Sequence, residues 1–169
     1  MKLLAEISER SLGIGETGAE LGGTYTLRKS ARVILCNEAG EMAVQYLRTY
    51  SYHKLPGGGA DRGETVREAL VREVREEVGC ECEIGEAVGM TIEYVNERSL
   101  LHLSYCYAAQ VRGSIGLAVL EAGEIEEGQE TVWLPPAEAL QQLREDTPQH
   151  KRGLFIQKRE IAFLEAYCA

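Results

Sequence analysis

The chain has 169 residues, 44% of them hydrophobic, and a formal net charge of −9. That length suits one domain with a real core, and the acidic balance argues against an extended nucleic-acid track. No apolar run is long enough to span a membrane, and MKLLAEISERS is too short and too acidic in its apolar part for a signal peptide, so a cytoplasmic protein is expected. The five cysteines (Cys36, Cys80, Cys82, Cys106, Cys168) are odd in number and lie mostly in apolar segments, as reduced thiols do.

In chain order, Leu3 to Ile7 suits an edge strand and Gly13 to Gly23 a glycine-rich loop, which sets residues 1–23 apart as an extension of a domain over 24–169. Ala31 to Cys36 reads as a strand, Asn37 to Gly40 as a hairpin turn, and Met42 to Leu47 as the returning strand. Tyr50, Tyr52, His53 and Lys54 then lead into Leu55-Pro-Gly-Gly-Gly59. Thr65 with Glu68 three residues on is a capping box, so a helix starts at Val66 and runs about four turns to Gly79. Its apolar stripe is Leu70, Val71, Val74 and Val78. Strand material follows over Cys80 to Ile92, broken at Gly85 and Gly89. From Leu100 to Val111 the pattern alternates, with Leu101, Leu103, Tyr105 and Tyr107 opposite His102, Ser104 and Cys106. Val132 to Leu134 is a short strand, and helices are predicted over Ala137 to Arg144 and Leu154 to Tyr167. This order suits a sheet between helical layers.

Glu73, Glu76 and Glu77 stand at i, i+3 and i+4, so three like charges share one helical face near the negative end of the helix. Local stability opposes that arrangement, whereas a hard divalent cation such as Mg²⁺ resolves it. The glycine loop ahead of the helix permits positive φ and close backbone approach to a ligand. Together they point to chemistry on a polyanion, because a diphosphate enters a carboxylate-lined site only with bridging metal ions. The bland reading is a solvated acidic face.

Written as a pattern, Gly58 to Cys80 is G-x5-E-x7-R-E-U-x-E-E-x-G-U, with U apolar, and every fixed position is filled. This resembles the signature of the Nudix hydrolases. The resemblance implies an α/β/α sandwich with a mixed sheet rich in antiparallel pairs. It implies Mg²⁺ (or Mn²⁺) held by Glu73, Glu76, Glu77 and a backbone carbonyl of Gly57 or Gly58. Arg72 would orient the glutamates, and Glu64 would lie near the metals. The general base stays open between a box glutamate and Glu124, Glu126, Glu127 or Glu130.

The implied substrate is a small nucleotide: a nucleoside diphosphate linked to another moiety, cut to a nucleoside monophosphate and a phosphorylated partner. The alternatives are a sanitising nucleoside triphosphate pyrophosphohydrolase releasing pyrophosphate, and a non-catalytic nucleotide sensor. Tyr52 for base stacking, Lys54 for phosphate, Gly57 and Gly58 for backbone approach, and Arg32 for phosphate or ribose are the candidate substrate contacts. Arg28 shares the strand of Arg32, and for either guanidinium an ion pair with an acidic neighbour is the first expectation. Homodimers are common in the family.

Overall fold

A computed structural model describes residues 1–14 and 24–169, so most of the glycine-rich stretch Gly13 to Gly23 lies outside the described residues. Seven strands form one mixed sheet among them, ordered β1-β5-β6-β2-β3-β4, with β7 also pairing β3. Their ranges are β1 Leu3–Ser8, β2 Thr26–Cys36, β3 Met42–Leu47, β4 Tyr52–Lys54, β5 Glu81–Val95, β6 Leu100–Arg112 and β7 Gln129–Leu134. The pairs β1–β5 and β2–β6 are parallel, and the others antiparallel. The helices are α1 Val66–Glu73, α2 Ala122–Glu126, α3 Pro136–Glu145 and α4 Lys151–Cys168.

Alternation along β2 divides the core in two. Ala31, Val33 and Leu35 pack against Ala69, Leu70 and Val74 of the α1 layer. Ile34 and Cys36 point the other way, onto Ala139 and Leu143 of α3 and Phe163 and Leu164 of α4. The α/β/α sandwich expected from the element order is what forms.

Two local predictions need correction, and the structure settles one face that the sequence left open. The glycines Gly85 and Gly89 do not break the strand: β5 runs on, with register shifts between Ile84 and Ala87 and between Ala87 and Gly89. Bulges absorb the missing side chains without ending the ladder. On β6 the polar face, His102, Ser104 and Cys106, is the buried one. And α1 is not uniform, because Val74–Val78 is a π-helical turn.

Candidate active site

The helix begins as its sequence dictates. Thr65 accepts from the Glu68 amide at 3.2 Å while Glu68 accepts from the Thr65 amide at 2.8 Å. It ends at Gly79, whose φ of 77° is left-handed and whose N–H reaches the carbonyls of Val74 and Arg75 at 3.1 and 3.2 Å. The π turn is held from outside the helix, since Gln45 on β3 and Thr131 on β7 both donate to the Glu77 carbonyl, at 3.4 and 3.2 Å. Leu70, Val74 and Val78 are buried as expected, and Val71 is only half-buried.

The turn sends Glu77 into the protein. Its carboxylate is 1% exposed and takes Lys54 Nζ at 3.1 Å, Gln129 Nε2 at 2.9 Å and the Gly57 amide. Burial pushes its pKa up, but Lys54, the Gly57 N–H and Arg32 outweigh that and hold it below the usual carboxylate value. Lys54, read from sequence as a phosphate contact, is therefore spent on Glu77.

Arg72 organises the other side. Its Nε donates to Glu64 at 3.0 Å, one terminal nitrogen to Glu73 and Glu76 at 3.0 Å each, and the other to the Gly59 carbonyl at 2.9 Å. The hydrogen bond to Glu64 raises the Arg72 pKa and lowers that of Glu64. Glu73 is raised, by burial first and then by the charge of Glu77.

A third carboxylate arrives from α2. One oxygen each from Glu73, Glu77 and Glu124 lie within 4.8 Å of one another. Burial lifts Glu124 to about 7; the Glu121 amide works against this and the neighbouring Glu77 with it. Glu76 turns to Arg72 instead of joining these three. Of the other loop glutamates, Glu127 pairs Arg152 at 2.6 Å and Glu130 pairs Arg48 at 2.8 Å, and Glu126 is exposed. Nothing in the sequence singled out Glu124 from these neighbours.

The loop is packed with almost no slack. A Cβ on Gly57, whose φ is 125°, would stand 2.3 Å from the Ala31 carbonyl oxygen, and one on Gly58 would stand 2.2 Å from Glu73 Oε1. The Gly57 carbonyl accepts from the Arg32 guanidinium, which also lies 3.4 Å from Glu160. Arg32 is thus a buried side chain bound to the loop. Tyr52 is fully buried beside Leu47 and Ile156, so its ring faces are covered by protein.

A mixed sheet between helical layers, with a glycine loop feeding an acidic helix, defines an α/β/α sandwich with its site at the loop–helix junction. The chain belongs to the NUDIX domain family, whose profile matches residues 26–155. A CTP pyrophosphohydrolase of Escherichia coli (strain K12) is 36% identical over 85 residues, 50% of this chain and 56% of that protein. An RNA pyrophosphohydrolase of Shewanella piezotolerans (strain WP3 / JCM 13877) is 34% identical over 73 residues, 42% of this chain and 41% of that protein. The chain spans about half the length, or less, of these curated relatives. Among solved structures, a NUDIX hydrolase from Nitrosomonas europaea matches with a TM-score of 0.62 at 16% identity, covering 85% of this chain and 89% of that one. The Escherichia coli ORF135 protein matches with a TM-score of 0.59 at 23% identity, covering 91% and 94%. These two likenesses are of fold.

Proposed function

We propose that the chain is a divalent-cation-dependent pyrophosphohydrolase that cuts a nucleoside diphosphate linked to another moiety into a nucleoside monophosphate and a phosphorylated partner. The convergence of Glu73, Glu77 and Glu124 within 4.8 Å carries this reading. Burial raises Glu73 first and the charge of Glu77 adds to it, and that repulsion is what a hard cation would remove. The donor set, all carboxylate oxygens, fits Mg²⁺ or Mn²⁺. Such an ion, when bound, neutralises the incoming diphosphate and polarises its phosphorus.

The chain's own residues do the rest. Glu73, Glu76 and Glu77 would hold the cation, Glu76 from its place beside them on Arg72. Arg72 fixes Glu64, Glu73 and Glu76 against the Gly59 carbonyl, while Lys54 and the Gly57 amide fix Glu77. We assign the general base to Glu124, the one loop glutamate of the four considered that enters the cluster, where a carboxylate oxygen can take the proton of an attacking water. Residues 24–169 form the catalytic domain, with 1–23 adding the edge strand β1. No helix among the described residues is long and apolar enough to cross a membrane. By resemblance to its family we place the enzyme in the cytoplasm, acting on small nucleotides.

The second reading is favoured by the likeness to a CTP pyrophosphohydrolase: a nucleoside triphosphate cut to monophosphate and pyrophosphate. A panel of nucleoside triphosphates, nucleotide sugars, ADP-ribose and dinucleotides with Mg²⁺ or Mn²⁺, with both products identified, decides between them. Pyrophosphate release selects the triphosphate reading, and a phosphorylated partner selects the other. Failure across the panel by folded protein would overturn both.

A further inference from the structure

The buried stripe of α4 is interrupted at its middle. Phe155, Ile156, Phe163 and Leu164 are apolar, as a core-facing stripe requires, but Arg159 and Glu160 between them are buried as deeply. Charged side chains are almost never buried so fully unless paired. One Glu160 oxygen takes Nε and a terminal nitrogen of Arg159, at 3.1 and 2.7 Å, and also lies 3.4 Å from Arg32 Nε on β2. The other terminal nitrogen of Arg159 goes to Glu93 at 2.8 Å. Two buried guanidinium groups thus share one carboxylate oxygen.

Such a cluster gains the fold little, since apolar residues of similar volume commonly stabilise as well or better. What it achieves is the placing of Arg32. Burial lowers the Arg32 pKa, the charge of Arg159 adds to this, and Glu160 opposes both. Glu160 is therefore what lets two cations stand close together in the interior. Arg32 Nε makes no aligned hydrogen bond among the described residues, whereas a terminal nitrogen donates to the carbonyls of Ala31, at 3.2 Å, and Gly57. Gly57 is gripped at its other end too, where its amide donates to Glu77. The β2 backbone holds the residues on either side, through Val33 N–H on the Pro56 carbonyl at 3.1 Å and Ala31 N–H on that of Gly58 at 2.9 Å. A polar path therefore runs from α4 across β2 to the acidic cluster, by way of Glu160, Arg32, Gly57 and Glu77.

We propose that Glu160 is a positioning residue for the cation site: it holds Arg32 on the Gly57 carbonyl, and Arg32 in turn fixes the glycine whose amide orients Glu77. The inference rests on the proposed function in taking Glu77 as a cation ligand. The setting of Gly57 by Glu160 itself needs neither cation nor turnover.

The test uses variants of the full chain that keep every charge. E160D draws the carboxylate one methylene back from Arg32, and E93D does the same on the other side of Arg159. Both loosen the buried cluster, and both lower the urea midpoint. Only E160D shifts the Gly57 amide in NMR spectra recorded in EDTA, and only E160D weakens Mn²⁺ binding read by electron paramagnetic resonance, by about tenfold. R32K keeps the charge without the fork, and adding E160D to R32K costs no further affinity, because Glu160 acts through Arg32. A Gly57 amide and Mn²⁺ affinity unmoved by E160D, or moved as far by E93D, would overturn the proposal, as would a further loss in R32K/E160D. Parent protein that binds no Mn²⁺ strikes the proposed function instead, and the metal-free Gly57 amide still decides whether Glu160 sets the loop.

Discussion

Replacing Glu77 by Gln separates two jobs that the sequence presents as one. Glu77 is 1% exposed and its carboxylate meets a Lys54 ammonium at 3.1 Å, with Lys54 itself buried. Removing one charge of a buried pair costs about 3–5 kcal/mol, because the other is left uncompensated. The new amide also turns a donor toward Lys54, Gln129 or the Gly57 N–H, all of which donate. With a urea m-value of about 2 kcal/mol/M, a loss of about 3 kcal/mol moves the unfolding midpoint down by about 1.5 M. Glu76, whose side chain is 36% exposed and which among the described residues pairs only with Arg72, should cost at most about 1 kcal/mol on the same change. Urea unfolding in EDTA reads both, so that bound cation contributes nothing. E76Q and E77Q should both lose metal-dependent turnover, yet only E77Q should lose much stability. The double variant K54M/E77Q should regain most of that stability and none of the activity. An E77Q protein as stable as the parent, or a double variant no better than E77Q, would refute the assignment of Glu77 as a buried, lysine-paired carboxylate.

Other outcomes follow from the same geometry. R72Q frees Glu64, Glu73 and Glu76 from their common anchor, so Mn²⁺ affinity measured by electron paramagnetic resonance should fall about 10–100-fold. Y52F removes a buried hydroxyl that has no partner among the described residues, so its Tm should be unchanged or raised, with KM unaffected. A tenfold rise in KM would instead make Tyr52 a substrate contact. Burial pushes Glu93 up, but Arg159 and His102 prevail and hold it at about 2, against an ordinary 4.5. A depressed folded pKa gives stability that is present above about 4.5 and lost as pH falls toward about 2. Urea midpoints of E93Q should therefore fall less steeply than those of the parent across that window, and parallel curves would argue otherwise.

The capping box, the left-handed Gly79 and the strand over Ala31 to Cys36 were legible because each is a local rule with a local cause. The π turn was not. It rests on Gln45 and Thr131, which lie on strands far away in sequence, and no residue within Val74–Val78 announces it. The wider i→i+5 turn there sets Glu77 inward beside Glu73 while Glu76 stays with Arg72. Glu124 was one acid among four until α2 docked, since its partners are carboxylates from another element. On β6, alternation separated two faces correctly but did not say which was the interior. The polar face is buried because Arg159 and Glu93 accompany it, a compensation that spans α4 and β5.

The most direct test of the account is an anomalous difference map from crystals grown with Mn²⁺. The expected result is a peak bounded by the carboxylates of Glu73 and Glu77, with Glu124 facing it. A map at saturating Mn²⁺ with no peak there, or with manganese bound only elsewhere, would contradict the claim that these glutamates exist to gather a cation.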